Sequence, residues 1–478
     1  MEKLLKEWPE DPEALFCLAC AWTQKGDLEK AFDFALKALK AGVPLERFVA
    51  GPREILKALI EYPPMGELIR KEDIGLVHGP LLGCVTDRKA SFWVRTAREA
   101  SVEVRVFEVG KSGKAVYVGK GRTSAERDWT AVIEVSGLQP DHSYFYELLV
   151  NGRKAGRKWK FRTYPPGGTK GIVRIGFGGG AGYTPWNERM WNTILRHRLN
   201  AFLFLGDNVY IDNPKKPAVQ RYCYYRRQSR PEFRALTAST PIYAIWDDHD
   251  FSTNDSWGGP RLDDPPWKLK VWEIFKQNWN NPAYGSDGYP GCWFSFQIGN
   301  IDFILLDGRY WREDPRRSSP SMLGPVQKRW LFRQLKNAKG TFKVIASPVP
   351  WAKGTKPGSR DTWDGYAEER EEIFSFLEKN KIEGVLLISA DRHTSDIWKI
   401  PRPGFYDLYE FESSRLTNVH RHGTMKRALY SYNRTCSFGE LIFDTTKKDP
   451  EVTYRIISID NDVVHEFKLQ LSSLSAEP

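Results

Sequence analysis

The sequence predicts a multidomain protein of the α+β and α/β classes, with a short helical segment, an all-β unit and a large layered unit of strands and helices. The hydrophobic periodicity changes along the 478 residues. Residues 1–65 repeat apolar side chains at helical spacing, residues 74–163 alternate apolar and polar side chains, and residues 171–465 alternate apolar runs with helical segments. Residues 466–478 are predicted to be a polar tail.

The N-terminal segment predicts two consecutive helices. Pro12 stands in the first turn of the first one, and Gly26 interrupts its pattern. The second helix is predicted from Leu28 to about Lys40. The pair is similar to one tetratricopeptide repeat, a unit that cannot bury its apolar face alone. We therefore expect it to pack on the rest of the chain or on preceding repeats.

Residues 74–163 predict a small β-sandwich of immunoglobulin or fibronectin type. The segments Ala90–Arg95, Val102–Phe107 and Tyr144–Val150 alternate as half-buried strands do, with turn residues between them. The stretch Tyr164–Gly168 is rich in proline and glycine and predicts a linker.

The third unit predicts buried strands separated by helices. The predicted strands are 171–177, 201–205, 242–246, 301–306, 342–346 and 385–389, and the helices are 187–198, 324–337 and 366–380. In layered α/β folds, functional side chains lie in loops beyond the carboxyl ends of the strands. Several of these predicted strands are followed at once by unusual polar residues.

Charge and composition restrict the partners. The net charge of +11 favours anionic ligands such as phosphoesters or an acidic polymer. The basic runs are short and scattered, so specific nucleic-acid binding is not predicted. No apolar run approaches the ~20 residues of a membrane span, and no signal peptide is visible, which leaves the cellular location open.

The cysteines do not predict a zinc site. Of the six, only Cys17 and Cys20 are close in sequence, and no second pair of ligands stands at a suitable spacing. We expect buried free thiols.

Two strand ends carry candidate metal ligands. Asp207 follows the strand 201–205 directly, where its carboxylate is able to bridge two cations, and Tyr210 offers a hard phenolate ligand. After the strand 385–389, Asp391 and His393 alternate, so both side chains can point the same way from extended chain. A carboxylate with an imidazole suits a metal of intermediate hardness. The alternative for each is a turn or a salt-bridged loop.

The stretch Trp246-Asp247-Asp248-His249-Asp250 places three carboxylates around one histidine after another strand. Such a group is costly near a core unless cations or hydrogen bonds compensate it. His249 is a candidate ligand or proton donor. Asn254 adds an oxygen donor soon after.

Three arginines are candidates for holding a phosphate. Arg309 and Arg312 follow the strand 301–306 in Leu306-Asp-Gly-Arg-Tyr-Trp-Arg312, and Arg392 lies between Asp391 and His393. Arginine matches phosphate oxygens in geometry and charge. Pairing with acids on the surface is the equally weighted alternative for Arg309 and Arg312.

These blocks together resemble the alkaline phosphatase D-like branch of the calcineurin-type metallophosphoesterases. The resemblance rests on five elements in order: Gly206-Asp-Asn-Val-Tyr210, Trp246-Asp-Asp-His-Asp250, Leu306-Asp-Gly-Arg-Tyr-Trp-Arg312, Met322-Leu-Gly with Gln327 and Trp330, and Ser389-Ala-Asp-Arg-His393. It covers roughly residues 74–460 and includes the preceding β-sandwich. Residues 1–65 lie outside it.

The resemblance implies a metal-dependent phosphoester hydrolase, with monoesters or diesters as substrates, free or linked to a polymer. It implies that Asp207 bridges two metal ions, that Tyr210 and His393 bind an iron(III)-like site, and that Asp391, Asn254 and Asp248 serve an oxygen-rich site. The second ion would be calcium, manganese or magnesium. His249 would donate a proton or contact substrate. Members of this family are often exported.

The sequence departs from the family pattern at one place. The family has Gly-Ser-Cys before the first helix, with the cysteine as an iron ligand, whereas Gly180 stands at that position here. The glycine-rich loop is able to cradle an anion through backbone N–H groups instead. The substitution also keeps an alternative open, a catalytically degenerate protein that binds an anionic polymer. A sulfatase is weaker, since no Cys-x-Pro-x-Arg motif is present.

Overall fold

The structure is a computed structural model that describes residues 9–110 and 115–476. Residues 1–8 of the predicted helical segment and residues 477–478 of the predicted tail therefore lie outside the described residues. No described helix combines the length and the apolar character needed to cross a membrane.

Five helices lie in the described part of the N-terminal unit, from residue 9 onwards. They are α1 (Pro12–Lys25), α2 (Leu28–Lys40), α3 (Leu45–Ala50), α4 (Arg53–Glu61) and α5 (Pro63–Glu72). Asp11 caps α1, because its side chain accepts the N–H of Ala14 at 2.6 Å, and Gly26 ends the helix in a left-handed conformation. The two predicted helices are present, and the helical unit continues past the predicted boundary at residue 65.

Outside the undescribed residues 111–114, seven strands follow and form two antiparallel sheets. They are β1 (Leu76–Gly83), β2 (Lys89–Thr96), β3 (Ser101–Glu108), β4 (Tyr117–Arg122), β5 (Thr130–Ser136), β6 (Ser143–Val150) and β7 (Arg153–Arg162). One sheet has the order β1-β2-β5 and the other β4-β3-β6-β7. The rings of Phe92 on β2 and Tyr146 on β6 meet at 4.4 Å between centroids, so the two sheets share a core.

The large unit is built on two mixed sheets. Its strands are β8 (Ile172–Gly178), β9 (Ala201–Leu205), β10 (Ile242–Ile245), β11 (Gly285–Ser286), β12 (Tyr289–Pro290), β13 (Phe294–Ile298), β14 (Ile301–Leu305), β15 (Phe342–Ala346), β16 (Val385–Ser389), β17 (Ser395–Ile400), β18 (Leu408–Ser413), β19 (Tyr430–Tyr432), β20 (Ser437–Asp444), β21 (Glu451–Ser458) and β22 (Val463–Gln470). The sheet orders are β10-β9-β8-β20-β21-β22 and β13-β14-β15-β16-β18-β17-β19, with β11 and β12 as a separate ribbon. Phe411 and Tyr454 stack at 4.4 Å across the two large sheets.

The helices of this unit are α6 (Met190–Arg196), α7 (Pro217–Gln228), α8 (Pro231–Ser239), α9 (Asp248–Phe251), α10 (Lys268–Asn278), α11 (Gly324–Asn337) and α12 (Ala367–Lys379). The six predicted strands are all present. Strands β8, β9 and β10 run parallel, as do β14, β15, β16 and β18. Parallel strands place their carboxyl ends at a common edge of each sheet, which gathers the polar loops.

The prediction of a polar tail from residue 466 is wrong for the described part. Strand β22 runs to Gln470 and pairs with β21, and Leu474 in the following 3-10 turn is fully buried. β22 lies at the edge of its sheet, so many of its side chains are exposed to solvent. Polar residues at these positions obscure the alternation of apolar and polar residues by which a strand is predicted.

Hydrogen bonds and ring contacts join the N-terminal units to the large one. Tyr222 on α7 donates to Glu13 at 2.8 Å, and Arg47 lies over its ring at 4.8 Å, so the helical unit packs on the chain itself as expected. On β2, the buried guanidinium of Arg95 binds Asp128 at 2.9 Å and reaches across to Asn278 on α10 at 2.9 Å.

Candidate functional site

The predicted metal ligands line a single cleft of about 630 Å³. It opens at the carboxyl ends of β9, β10 and β16. Its lining comprises Gly182, Tyr183, Thr184, Asp207, Tyr210, Arg226, Asp248, His249, Asn254, Lys356, Asp391, His393, Asn418, Val419, His420 and His422.

Asp207, Tyr210 and His393 meet at the floor of this cleft. The hydroxyl of Tyr210 donates to Oδ2 of Asp207 at 2.9 Å and lies 3.1 Å from Nε2 of His393. The distance from His393 Nε2 to Asp207 Oδ2 is 3.7 Å. The side-chain amide of Asn418 donates to the Tyr210 oxygen at 2.7 Å and holds the phenol in place.

The backbone that presents these side chains is strained. Asp207, Asp391 and His393 have φ values of 51°, 71° and 53°, in the left-handed region. Such conformations cost about 1–3 kcal/mol each and concentrate at functional sites. Gly206, with φ at 113°, ends β9 so close to the neighbouring loop that a Cβ there would lie 2.5 Å from the Cβ of Asp247.

This group fits a cation. Oδ1 of Asp207 and Nδ1 of His393 are buried and have no hydrogen-bond partner among the described residues. Buried polar atoms are normally paired, so unpaired ones at a cleft floor indicate a missing ligand. Burial and the nearby carboxylate of Asp248 raise the pKa of Asp207 to about 7, and a bound cation would remove that penalty.

The three carboxylates of the Trp246–Asp250 block have separate roles. Asp248 lines the cleft, and its two oxygens accept the N–H groups of His249 at 3.0 Å and Asp255 at 2.6 Å. Asp250 instead accepts the N–H groups of Asn208 and Val209 at 3.1 Å each, which fastens the loop that carries Asp207. Asp247 pairs with an arginine in the core.

His249 lies on the cleft wall against Tyr210, with 4.3 Å between ring centroids. Its Nδ1 is 2.5 Å from Oδ1 of Asp212. Burial opposes the charged form, but Asp212, Asp207 and Asp248 outweigh it and raise the pKa of His249 to about 10. These carboxylates therefore favour the protonated imidazole, and Asp212 continues to do so when a cation neutralises Asp207.

Arg309 and Arg312 do not line the cleft, which contradicts their predicted contact with substrate. Both guanidinium groups are fully buried. Arg309 binds both oxygens of Asp361, at 2.7 and 2.8 Å, and also Asp247. Arg312 binds Tyr366 and Asp361. The alternative of pairing with acids holds, but the pairs are buried rather than on the surface as expected. A buried arginine needs acidic partners, and Asp361 and Asp247 supply them.

Arg392 is also directed away from the cleft. Its guanidinium donates to the backbone carbonyls of Thr355 and, at 2.6 Å, Gly423. It borders a neighbouring depression of about 610 Å³, which shares Lys356 and His422 with the cleft. The predicted role in neutralising a phosphate inside the cleft is therefore not supported.

Asn254 lines the cleft in an exposed position, whereas the glycine-rich loop reaches the lining at Gly182 and not at residues 179–181. The N–H groups of Gly179, Gly180 and Ala181 all donate to backbone carbonyls. A Cβ at Gly180 would lie 2.9 Å from Cδ2 of His393. The loop therefore does not cradle an anion through these amides, and Gly180 allows His393 to pack close to the backbone.

Several residues of the cleft were not predicted. Lys356 and Arg226 supply positive charge, and Asn418, His420 and His422 form one wall. The alternating pattern Asn418-Val-His-Arg-His422 was the one available signal for that wall. Lys356 and Arg226 stand in a loop and on helix α7, where no local pattern distinguishes them from other basic residues.

Two known protein-family signatures match this chain, one in the large unit and one in the seven-stranded unit. The sequence signature of the PhoD-like phosphatases matches residues 176–420, about half of the chain. The chain belongs to this family. In this PhoD-like chain, a second signature, a domain of unknown function designated DUF7800, matches residues 73–167, where the seven-stranded unit lies.

Alkaline phosphatase D of Bacillus subtilis (strain 168) is 23% identical to this PhoD-like chain over 311 residues, which are 55% of this chain and 53% of the relative. The chain thus spans about half the length of that curated relative. A structure of PhoD has a TM-score of 0.72 at 18% identity, covering 84% of this chain and 90% of that one. The purple acid phosphatase PPD1 from yellow lupin seeds has a TM-score of 0.60 at 12% identity, covering 83% and 75%. These two likenesses establish a mixed α/β multidomain fold.

Proposed function

We propose that this PhoD-like chain hydrolyses phosphoesters with the help of metal ions bound in the cleft. The observation that carries the proposal is the meeting of Asp207, Tyr210 and His393 within 3.7 Å, with two of their buried polar atoms unpaired. Relatives named as phosphatases support the reaction class.

Asp207, Tyr210 and His393 would hold the first cation, and Asp248, Asp391 and Asn254 offer oxygen atoms for others. When bound, such cations neutralise phosphate charge and lower the pKa of a water molecule. The phenol and imidazole suit iron, while the oxygen donors suit calcium, manganese or magnesium.

The chain's own cations would hold the phosphate. Arg226 reaches the cleft from α7 and lies over the ring of Tyr183 at 4.2 Å, with its Nε buried and unpaired among the described residues. Lys356 faces it from the loop after β15. We therefore assign phosphate binding to Arg226 and Lys356 instead of Arg309, Arg312 and Arg392. Arg226 and Lys356 are the arginine and the lysine among the described residues that line the cleft.

His249 would protonate the leaving alkoxide. It lines the cleft, its pKa is raised by Asp212 and other carboxylates, and Asp212 orients it through Nδ1. This leaves Nε2 free to carry a proton towards a substrate oxygen. A general acid matters most when the leaving alcohol is a poor leaving group.

The adjoining depression supports diesters as well as monoesters. It shares Lys356 and His422 with the cleft and is bordered by Arg360 and Arg392. A second ester substituent would therefore enter a basic environment. This favours an anionic or polymer-linked alcohol there.

The N-terminal units would support the catalytic unit rather than contact the reacting atoms. The two sheets are assigned as an immunoglobulin- or fibronectin-like sandwich, and α1 and α2 as a tetratricopeptide-like pair. No described residue before Gly182 belongs to the cleft lining.

Hydrolysis of p-nitrophenyl phosphate and bis-p-nitrophenyl phosphate, before and after chelation, tests the proposal. Chelation should abolish both activities and added metal should restore them. Asp207→Ala should be inactive, whereas Asp287→Asn, which removes a surface ion pair with Arg333, should be unchanged. The alternative, a degenerate binder of an anionic polymer, predicts no bound metal and no effect of Asp207→Ala on polymer affinity.

A further inference from the structure

Lys356 lines the cleft and is embedded among carboxylates, of which Asp391 also lines the cleft. Its ammonium lies 3.2 Å from both oxygens of Asp391, 3.3 Å from Asp255 and 3.8 Å from Asp361. Only 17% of the side chain is exposed. A lysine so enclosed by acids occupies the space that a bound cation would take.

These acids form the oxygen-rich part of the site, here termed the acidic cluster: Asp248, Asp255, Asp361 and Asp391. Oxygens of the first three lie within 4.8 Å of one another. Without Lys356 the acidic cluster would have the donors that a hard divalent ion requires. With the ammonium in place, a second ion would meet both direct repulsion and a blocked position.

The distribution of charge around the cleft is uneven. The acidic cluster already has protein cations, since Arg309 and Arg312 contact Asp361 and Lys356 contacts Asp391. Asp207 has no lysine or arginine within 4.0 Å among the residues that the structure describes, only His393 at 3.7 Å. Asp207 is therefore the carboxylate that still needs a metal.

We propose that the ammonium of Lys356 replaces the second metal ion, so that the chain binds one tightly held cation, at Asp207, Tyr210 and His393. The inference rests on the proposed metal-dependent function and changes its stoichiometry from the two ions that the sequence implies. A phosphate would then lie between one metal ion and one protein cation. A mere salt bridge that anchors the loop is the competing interpretation.

Counting manganese tests the inference on the full chain. The protein is saturated with Mn²⁺, freed of loosely bound ions by buffer exchange, and analysed for metal per chain and by electron paramagnetic resonance. Wild type should hold one Mn²⁺ and give the spectrum of isolated ions. Lys356→Gln should hold two and show exchange coupling between them. Lys356→Arg, the matched control that keeps the charge, should hold one.

A second variant protects the test against misfolding of Lys356→Gln. Asp391→Asn should leave the count at one Mn²⁺ if Asp391 pairs with Lys356, and should lower it from two to one if Asp391 binds a second ion. Two ions in wild type, or one ion in both wild type and a folded Lys356→Gln, overturns the inference but leaves metal-dependent hydrolysis standing. No tightly bound ion in wild type contradicts the proposed function itself, and the inference with it.

Discussion

Tyr210 and His393, 183 positions apart in the chain, approach to 3.1 Å between the phenol oxygen and Nε2. The contact joins the loop after β9 to the loop after β16, which belong to different sheets. Positive φ values at Gly206 and at His393 turn the backbone after each strand and direct the two side chains towards each other. The packing of the two sheets therefore assembles the site.

Asn418 should matter for metal affinity although it need not bind the metal. Its amide donates to the Tyr210 oxygen at 2.7 Å. Asn418→Ala should lower metal affinity or activity by about 10–100-fold, the usual effect of removing a partner that orients a ligand. Calorimetric titration with Mn²⁺ measures this. The control variant Asn380→Ala, at the exposed end of α12, should change neither the metal affinity nor the activity.

Arg226 should contribute to binding of the phosphate. Loss of a charged hydrogen bond costs about 1.5–3 kcal/mol, which is about 10–100-fold in kcat/KM. Arg226→Gln should show this loss with its metal content unchanged. Arg333→Gln, which breaks an exposed ion pair with Asp287, is the surface control and should retain full activity. Equal kcat/KM values for the two variants would remove Arg226 from the mechanism.

The loss of activity on replacing His249 should increase with the pKa of the leaving alcohol. His249→Ala should reduce hydrolysis of an alkyl phosphoester by about 10²–10⁴-fold, the usual worth of a general acid. A p-nitrophenyl ester leaves without protonation and should lose far less, which makes it the internal control. Equal losses on both substrates would indicate a different role.

The pH dependence should respond to Asp212. This carboxylate raises the pKa of His249, which is about 10, so Asp212→Asn should lower that pKa. Because the protonated imidazole is the active form, activity is lost as pH rises through the pKa. The alkaline limb of the kcat/KM profile should therefore move to lower pH in Asp212→Asn. An unchanged limb would show that another group sets it.

The strand-end ligands could be predicted because their signals are local. Asp207, Asp391 and His393 follow apolar runs directly, and a parallel sheet gathers such ends at one edge. Arg309 stands in the same kind of position and was misassigned, because its burial depends on Asp361, which lies 52 residues further along the chain. No local pattern reveals that partner.

Other features depend on long-range packing in the same way. Lys356 faces the cleft because the loop after β15 folds back over Asp391 and Asp255. The strands β20, β21 and β22 were not predicted, although β20 joins β8 to the antiparallel half of its sheet. β22 is an edge strand with mostly exposed or half-buried side chains, so its sequence resembles ordinary surface sequence. β20 and β21 are almost wholly buried, and their polar residues interrupt the apolar runs that predict a strand.

Arg95 should be important for stability because it links the seven-stranded unit to the large unit. Its buried ion pair with Asp128 spans 2.9 Å. Arg95→Met removes the closest cation from the buried carboxylate of Asp128, which keeps the Tyr225 hydroxyl and, at 3.8 Å, Nε of Arg221. The change should lower the free energy of unfolding by about 3 kcal/mol. Arg122→Met, which breaks an exposed pair with Glu99, should cost less than about 1 kcal/mol. Urea titration compares the two, and similar values would show that Arg95 is dispensable.

The central claim is that Asp207, Tyr210 and His393 share one cation. The most direct test is anomalous diffraction from crystals of the full chain grown with Mn²⁺, recorded on both sides of the manganese absorption edge. We predict a strong peak within bonding distance of Asp207, the Tyr210 oxygen and the His393 imidazole. A crystal with Mn²⁺ elsewhere in the cleft, or with no peak at these three residues, would contradict it.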